Sequence, residues 1–291
     1  MNHPVYLTEY PNMHSTFPFS IKTERIEGIF RHRHDFLEFI FVLEGQGVQI
    51  VNGIRHSLQP GTLVFLLPYQ FHEITCEAGR HLKLFICNFD LELLFHSKEG
   101  DWGLAAIVLE DSAGLPPYVQ PEERDKMRMD EIFGEMMREY EGNDRMRPIM
   151  IKAKLLEALV LFDRFRYRQH ANGLEEGSNG NRELGKRNFW QVIRYVHLHY
   201  REEMTLDHLA GIFHYNASHL SELFKIRIGQ TFVHFLQGLR IRHACGLLSS
   251  TELSVAAIAY EVGFGSFQTF SRTFLKIKGI QPTAYRKRSR A

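Results

Sequence analysis

Cysteine is scarce. Three stand in 291 residues, at positions 76, 87 and 245, and none forms a CxxC pair. That excludes a CxxC metal site and a disulfide framework, and it fits a reducing compartment. No apolar run reaches the roughly 18 residues that a membrane span needs. The opening MNHPVYLTEYPNMHS lacks the basic start and apolar core of an export signal, so a cytoplasmic chain without membrane attachment is expected. Net charge is nearly absent as well, at +1, but the total hides an asymmetry. Residues 187–291 carry 14 Lys and Arg against 6 Asp and Glu, whereas residues 1–186 carry 21 against 28. A basic module joined to an acidic one is the charge pattern of a nucleic-acid binder. The hydrophobic fraction of 44% excludes global disorder, and the length suits two domains.

What is present centres on Ser254 to Arg286. It reads as a short helix, a turn through Gly263 and a second helix starting near Ser266. On that second helix Phe267, Phe270 and Phe274 fall on one helical stripe and are expected to face inward. Gln268, Thr269, Arg272 and Lys276 fall on another face. Amides, hydroxyls and basic groups in a stripe match the donors and acceptors of base edges in the major groove. An ordinary amphipathic surface helix shows the same pattern, so one copy alone decides nothing.

The pattern occurs twice. Thr205 to Gly229 repeats it, with Phe274 standing 50 residues after Phe224 and Gly279 standing 50 after Gly229. Ile258-Ala259 follows Leu209-Ala210 by 49, so the second turn gains one residue. In the first unit Leu220, Leu223 and Phe224 form the underside, and Ser218, Ser221, Glu222 and Lys225 form the exposed stripe. Two copies make an internal repeat but are too few for a solenoid.

These residues carry a family resemblance. Ile258-Ala259, Gly263-Phe264, Phe270, Phe274, Gly279, Pro282 and Tyr285-Arg286, with Leu220, Phe224, Gly229 and the linking Leu239-Arg240-Ile241 to Ala244, resemble the AraC/XylS family of bacterial transcription regulators. The resemblance implies two helix-turn-helix motifs joined by one long helix, with both recognition helices entering successive major grooves on one side of the DNA. The candidate DNA-contacting set is then Ser218, His219, Ser221, Glu222 and Lys225 in the first unit, and Ser266, Gln268, Thr269, Arg272 and Lys276 in the second. Arg272 is the residue expected to read a guanine. The first unit departs from the pattern at His214, which stands where relatives place Gly. With its short or acidic side chains that unit is expected to read fewer bases, or to rely on DNA shape. Arg240, Arg242 and His243 of the linking helix are expected to point outward, toward phosphates or solvent. The basic tail Lys287, Arg288 and Arg290 can add nonspecific attraction to DNA.

Residues 21–90 read as all-β. Short apolar runs alternate with turn signals, among them Asn52-Gly53, a strong type I′ hairpin signal. Evenly spaced short strands suggest a small barrel or jelly roll. Arg31 to Gly45 reads as one central strand. Period-two alternation puts His32, His34, Phe36, Glu38, Ile40 and Val42 on one face, and leaves Arg31 and Arg33 on the other as solvated groups. His-x-His with a Glu four residues on resembles the first cupin motif, and Gly61 to His72 resembles the second. In cupin enzymes such positions bind a divalent metal. Gly28 lies too close to His32, Gln70 replaces an expected Gly and His72 arrives one residue early. The candidate ligand-binding set is therefore His32, His34, Glu38 and His72, with pocket lining expected ahead of metal ligation or structural hydrogen bonding, and no cofactor or metal assigned.

The remaining segments are less specific. Residues 1–20 read as an extended arm, which the resemblance permits to fold over a ligand. Residues 91–121 read as irregular connections with one short helix. Two helices, over 122–141 and about 149–170, carry apolar stripes through Met129, Ile132, Phe133, Met136 and Tyr140, and through Ile151, Leu155, Leu159, Phe162 and Phe165. The second stripe is wider than one contact requires; packing on the barrel alone is one reading, and the resemblance supports the other, a homodimer contact through residues 122–170, which is the one expected. Residues 171–186 are rich in Gly, Asn and charge and read as a linker.

The expected architecture is α+β in two domains. Residues 1–170 form a cupin-like β-barrel (jelly roll) with a helical hairpin, for effector binding and dimerisation. Residues 187–291 form an all-α tandem helix-turn-helix domain. The function expected is a sequence-specific, DNA-binding transcriptional regulator, not an enzyme. Its effector would be a small molecule such as a sugar or related metabolite, and the resemblance adds recruitment of RNA polymerase as an activator. Two other readings stay open: a metal-dependent cupin enzyme fused to a DNA module, and a ligand-independent dimeric DNA-binding protein.

Overall fold

The protein is described by a computed structural model covering residues 5–7, 9–13, 15, 17–90, 93, 115–174 and 189–289. The expected short helix within 91–121, most of the linker and Arg290 lie largely outside these residues. Two compact units divide the chain near residue 184, and no helix among the described residues is long and apolar enough to cross a membrane.

In the first unit the strands form two five-stranded sheets facing each other. One sheet runs in the order β1 (Val5–Leu7), β3 (Gly28–His34), β8 (His72–Thr75), β5 (Gly47–Val51), β6 (Ile54–Leu58). The other runs β10 (Tyr118–Val119), β7 (Leu63–Leu66), β4 (Leu37–Glu44), β9 (Leu82–Phe89), β2 (Phe19–Ile26). The space between is filled by Ile40, Val42, Val51, Leu58, Val64, Leu66, Ile74, Leu84 and Ile86 with their neighbours. Asn52 and Gly53 both take positive φ, 49° and 87°, as a type I′ turn between β5 and β6 requires. The arm of residues 1–20 contributes β1, a parallel edge strand on β3. It also contributes Tyr10 and Met13, which close over Phe36.

One expectation is overturned. Arg31 to Gly45 is not a single strand: β3 ends at His34, Asp35 and Phe36 turn the chain, and β4 begins at Leu37 in the opposite sheet. Alternation records which way side chains point, not where the hydrogen-bonding partner changes. Because two residues intervene, the inward parity survives, and His32, His34, Glu38, Ile40 and Val42 still face the interior. Phe39 and Phe41 face the other way, against α1 (Glu123–Glu141) and α2 (Arg147–Leu174). Phe39 lies 5.3 Å from Phe133 and 5.4 Å from Phe162, ring centre to ring centre. Met129, Ile132, Phe133 and Met136 are buried, as are Ile151, Leu155, Leu159, Phe162 and Phe165. Helix α2 continues to Leu174, so Ala171 to Leu174 belong to it rather than to the linker.

In the second unit seven helices appear among the described residues: α3 (Phe189–His199), α4 (Leu206–Ile212), α5 (Ala217–Leu223), α6 (Phe232–Ser250), α7 (Val255–Glu261), α8 (Phe267–Lys278) and α9 (Pro282–Ser289). The short helices start where the sequence places an oxygen-bearing cap. Thr205, Asn216, Thr231, Ser254 and Ser266 each accept from a backbone N–H of the first turn, a contact typically contributing ~1 kcal/mol. Phe224 packs against Phe189, Phe232 and Phe235. Phe270 and Phe274 pack among Phe264 and Tyr285.

Candidate functional site

The two helix-turn-helix units superpose residue by residue in their bonding. Tyr215 N–H bonds back to the Ala210 carbonyl at 2.9 Å, and Phe264 N–H to the Ala259 carbonyl at 3.0 Å. The next equivalent pair is the caps Asn216 and Ser266, so the residue gained in the second turn is Gly265. Both turns need a left-handed residue, supplied by His214 at φ 54° and Gly263 at φ 90°. The first is a non-Gly residue where the sequence argument placed one, at a cost on the order of 1 kcal/mol.

In the second unit Phe270 and Phe274 are fully buried, anchoring α8 from beneath. Gln268, Arg272 and Lys276 are exposed, and Thr269 and Ser266 half-buried. Ser266 also caps the helix through the Thr269 N–H at 3.2 Å. Phe267 does not join the underside: it is 41% exposed, and Thr273 takes the inward place. As the first residue of the helix, Phe267 projects past the end of the core that Phe270 and Phe274 fill. In the first unit Ser218, His219, Glu222 and Lys225 are exposed and Ser221 half-buried, above the buried Leu220 and Phe224. Leu223, expected on the underside, is only half-buried. Sequence periodicity missed that this helix widens into a π turn over Phe224–Ile228 before Gly229 ends it at φ 75°.

The linking helix departs from its expectation. The Arg240 guanidinium does not point toward solvent or phosphate; it bonds the carbonyls of Tyr200 and Glu202 at 2.7 and 2.8 Å. His243 stacks on the Tyr200 ring, centroids 3.9 Å apart. Both tie α6 to the end of α3.

The candidate ligand residues converge at one end of the barrel. β3 and β8 are antiparallel with His32 directly opposite His72, and His34 follows inward along β3. His32, His34 and His72 are 5%, 1% and 2% exposed. One ring nitrogen of each lies within 4.8 Å of those of the other two. Each ring is held from behind: Nδ1 donates to the carbonyls of Phe30, Phe36 and Gln70 at 3.0, 2.9 and 3.1 Å respectively. Since a carbonyl only accepts, Nδ1 carries the hydrogen and Nε2 keeps a lone pair. Glu38 reaches across from the other sheet, its carboxylate 3.9 Å from His34 Nε2 and 3.7 Å from His72 Nε2.

Burial sets the protonation of these groups. It holds the His72 imidazole down at about 3. It depresses His34 further below its ordinary range than His32, with the neighbouring His72 also contributing at His34. Burial raises the Glu38 carboxyl to about 7. His34 Nε2 and His72 Nε2 have no hydrogen-bond partner, at a usual cost of about 1–3 kcal/mol for each buried group left unpaired.

Sequence reasoning missed three further inward polar residues. Asn88 sits opposite Glu38 on β9, its Oδ1 buried without a partner. Gln49 and His56 bond each other at 3.1 Å, and His56 stacks on Tyr118. Their signal was the alternation itself, since Gln49 and Val51 share a face, as do His56 and Leu58.

Comparison with known proteins gives matches to both halves. The family model of the AraC-like ligand binding domain matches residues 24–159, and a helix-turn-helix domain model matches residues 209–288. The chain is 25% identical over 259 residues to the HTH-type transcriptional regulator YfiF of Bacillus subtilis (strain 168), covering 88% of this chain and 78% of that one. It is 25% identical over 272 residues to the HTH-type transcriptional activator RhaS of Enterobacter sp. (strain 638), covering 91% and 90%. Further relatives match the C-terminal third alone, and there the chain spans 13% of their length. Among solved structures, ToxT from Vibrio cholerae O395 aligns with 92% of this chain and 97% of its own at 14% identity, with a TM-score of 0.43.

Proposed function

The chain belongs to the AraC/XylS family of transcription regulators, and from that premise we propose how its parts divide the work. α8 is the principal base-reading element. Arg272 and Gln268 meet base edges in the major groove, with Thr269, Ser266 and Lys276 beside them. α5 contributes Ser218, His219, Ser221, Glu222 and Lys225, with fewer base contacts because its side chains are shorter and one is acidic. The observation that carries this is the exposed polar and basic stripe of α8 standing on two fully buried phenylalanines. A helix fixed in that way presents its outer face in one orientation.

Residues 1–170 form the effector and dimer module, joined through a linker to the DNA-binding module of residues 187–291. The effector is a small molecule such as a sugar or related metabolite, received at the barrel end marked by His32, His34, Glu38 and His72. Binding acts by favouring one arrangement of the regulator over another, since equal affinity for both shifts nothing. The dimer contact is a stripe on α2 running through Ile149, Ala153, Leu156 and Val160. Ile149 and Ala153 are exposed there, and Leu156 and Val160 half-buried. The protein works in the cytoplasm as an activator that contacts RNA polymerase, and not as an enzyme; the 25% identical activator RhaS supports the sign of regulation.

Nuclease footprinting on DNA captured by the purified protein tests this reading. Two protected patches on one side of the duplex, about one turn or ~34 Å apart, are expected for each site; a single protected groove segment overturns the tandem arrangement.

A further inference from the structure

We propose that the N-terminal barrel holds one divalent first-row transition-metal ion, bound by Nε2 of His32, His34 and His72 together with the Glu38 carboxylate. The inference deepens the effector-site reading above and rests on the same residues. It starts from an imbalance: the three inward imidazole nitrogens are all acceptors, and the Glu38 carboxyl faces two of them. The three Nδ1–H groups are spent on the carbonyls of Phe30, Phe36 and Gln70. That leaves lone pairs on the inward nitrogens. His34 Nε2 and His72 Nε2 are buried without partners. Glu38 stands 3.7 and 3.9 Å from them, beyond hydrogen-bond reach. A water molecule brings two hydrogens and would leave part of the set unmatched. A cation accepts all four lone pairs at once.

The second observation is the bracing behind each ring. Imidazoles that ligate a metal donate their far N–H to a fixed acceptor, which sets both tautomer and direction. All three rings here have that acceptor in the backbone of their own strand ends. None depends on a mobile side chain. The spacing is within reach of a shared ion. Nitrogens ~2.1 Å from a shared ion lie about 3.0–3.4 Å apart, against the 4.8 Å bound on the nitrogens here. Small rotations of the rings and of Glu38 close that gap. The donor set also selects the ion: three imidazoles and one carboxylate suit zinc, iron, nickel or copper, whereas magnesium and calcium take oxygen ligands.

The test uses the full-length chain without a polyhistidine tag. It is loaded separately with zinc(II), cobalt(II) and nickel(II), dialysed, and analysed for bound metal by plasma mass spectrometry. About one ion per chain is expected, with a higher thermal transition for the loaded form and visible d–d bands of nitrogen-ligated cobalt. His34→Gln and His72→Gln should each weaken binding by tenfold or more, on the order of what metal-site changes cost. Glu38→Gln should weaken it less. His56→Gln, another buried histidine of the same barrel outside the cluster, should retain the ion. Binding well below one ion per chain in the unaltered protein overturns the proposal. So does full binding by a His34→Gln/His72→Gln double variant whose circular dichroism shows it folded, because the metal then sits elsewhere among the 16 histidines. Failure of the regulator reading shows separately, as the loaded protein leaving no footprint on captured DNA; the ion count and cobalt spectrum do not depend on that result.

Discussion

Arg240 Nε donates to the backbone carbonyl of Tyr200 at 2.7 Å. The guanidinium thus satisfies the end of α3 from the middle of the linking helix, and burial pulls its pKa down from the ordinary guanidinium range. Arg240→Ala is expected to destabilise the DNA-binding unit by roughly 2–3 kcal/mol, the scale of hydrogen bonds made by a charged donor. The slope of DNA affinity against salt should stay as it was, since no phosphate contact is removed. Thermal melting and binding titrations over a range of salt check the two halves of this statement.

The two turns answer differently to glycine. A Cβ on Gly263 would stand 2.6 Å from the Arg201 carbonyl oxygen, at φ 90°. Gly263→Ala should therefore cost roughly 2–4 kcal/mol, from left-handed strain plus overlap with backbone. His214→Gly relieves strain at the equivalent place and should stabilise by up to about 1 kcal/mol. Urea unfolding of the two variants gives the comparison.

Arg272→Ala should abolish sequence preference at one base pair, a loss of about 1–3 kcal/mol against the preferred site. Nonspecific affinity should change little. Competition between a captured site and bulk DNA at fixed salt measures it, and an unchanged preference removes Arg272 from base reading.

His56 makes the barrel sensitive to acid. Burial lowers its imidazole to about 4 from the usual 6.5. The unfolded chain takes up that proton below pH 6.5 and the folded chain only near pH 4. Its contribution is therefore complete above pH 6.5 and is lost progressively as the pH falls toward 4. Roughly 1–2 kcal/mol of stability should go by pH 4.5. His56→Gln should flatten that part of the profile in urea melts taken between pH 7 and pH 4.5. Glu38, raised to about 7, acts in the opposite sense, its contribution declining as pH rises from 4.5 through 7, so the full profile is the sum of opposed slopes.

The dimer reading places Ile149 and Ala153 in a contact. Both are exposed in the single chain, so Ile149→Glu/Ala153→Glu should leave the monomer folded and convert a dimer to monomer in analytical ultracentrifugation. A variant that sediments like the parent protein would place the interface elsewhere.

The helical half was the more legible in sequence because its signals are local. The helix start near Ser266, the turn residues His214 and Gly263, and the apolar undersides of Phe224, Phe270 and Phe274 all act within a few residues of where they stand. What sequence missed there depends on packing. Phe267 has the right period but lies past the end of the core, and Arg240 finds carbonyls just beyond the end of α3, some 40 residues away in the chain. In the barrel, alternation identified the inward faces of β3 and β4, yet it did not show that the two strands belong to different sheets. That depends on hydrogen-bond partners far away in the chain. Asn88 became visible as a neighbour of Glu38 only once β9 was paired with β4.

That pairing gives β4 two jobs on opposite sides. Glu38 looks into the histidine cluster, while the next residue, Phe39, is wedged between Phe133 and Phe162. Close-packed aromatic rings have little slack, so anything that draws Glu38 inward also tugs on both helices of the hairpin. A change at the occupied barrel thus has only one peptide bond to cross before it reaches the inner faces of both hairpin helices.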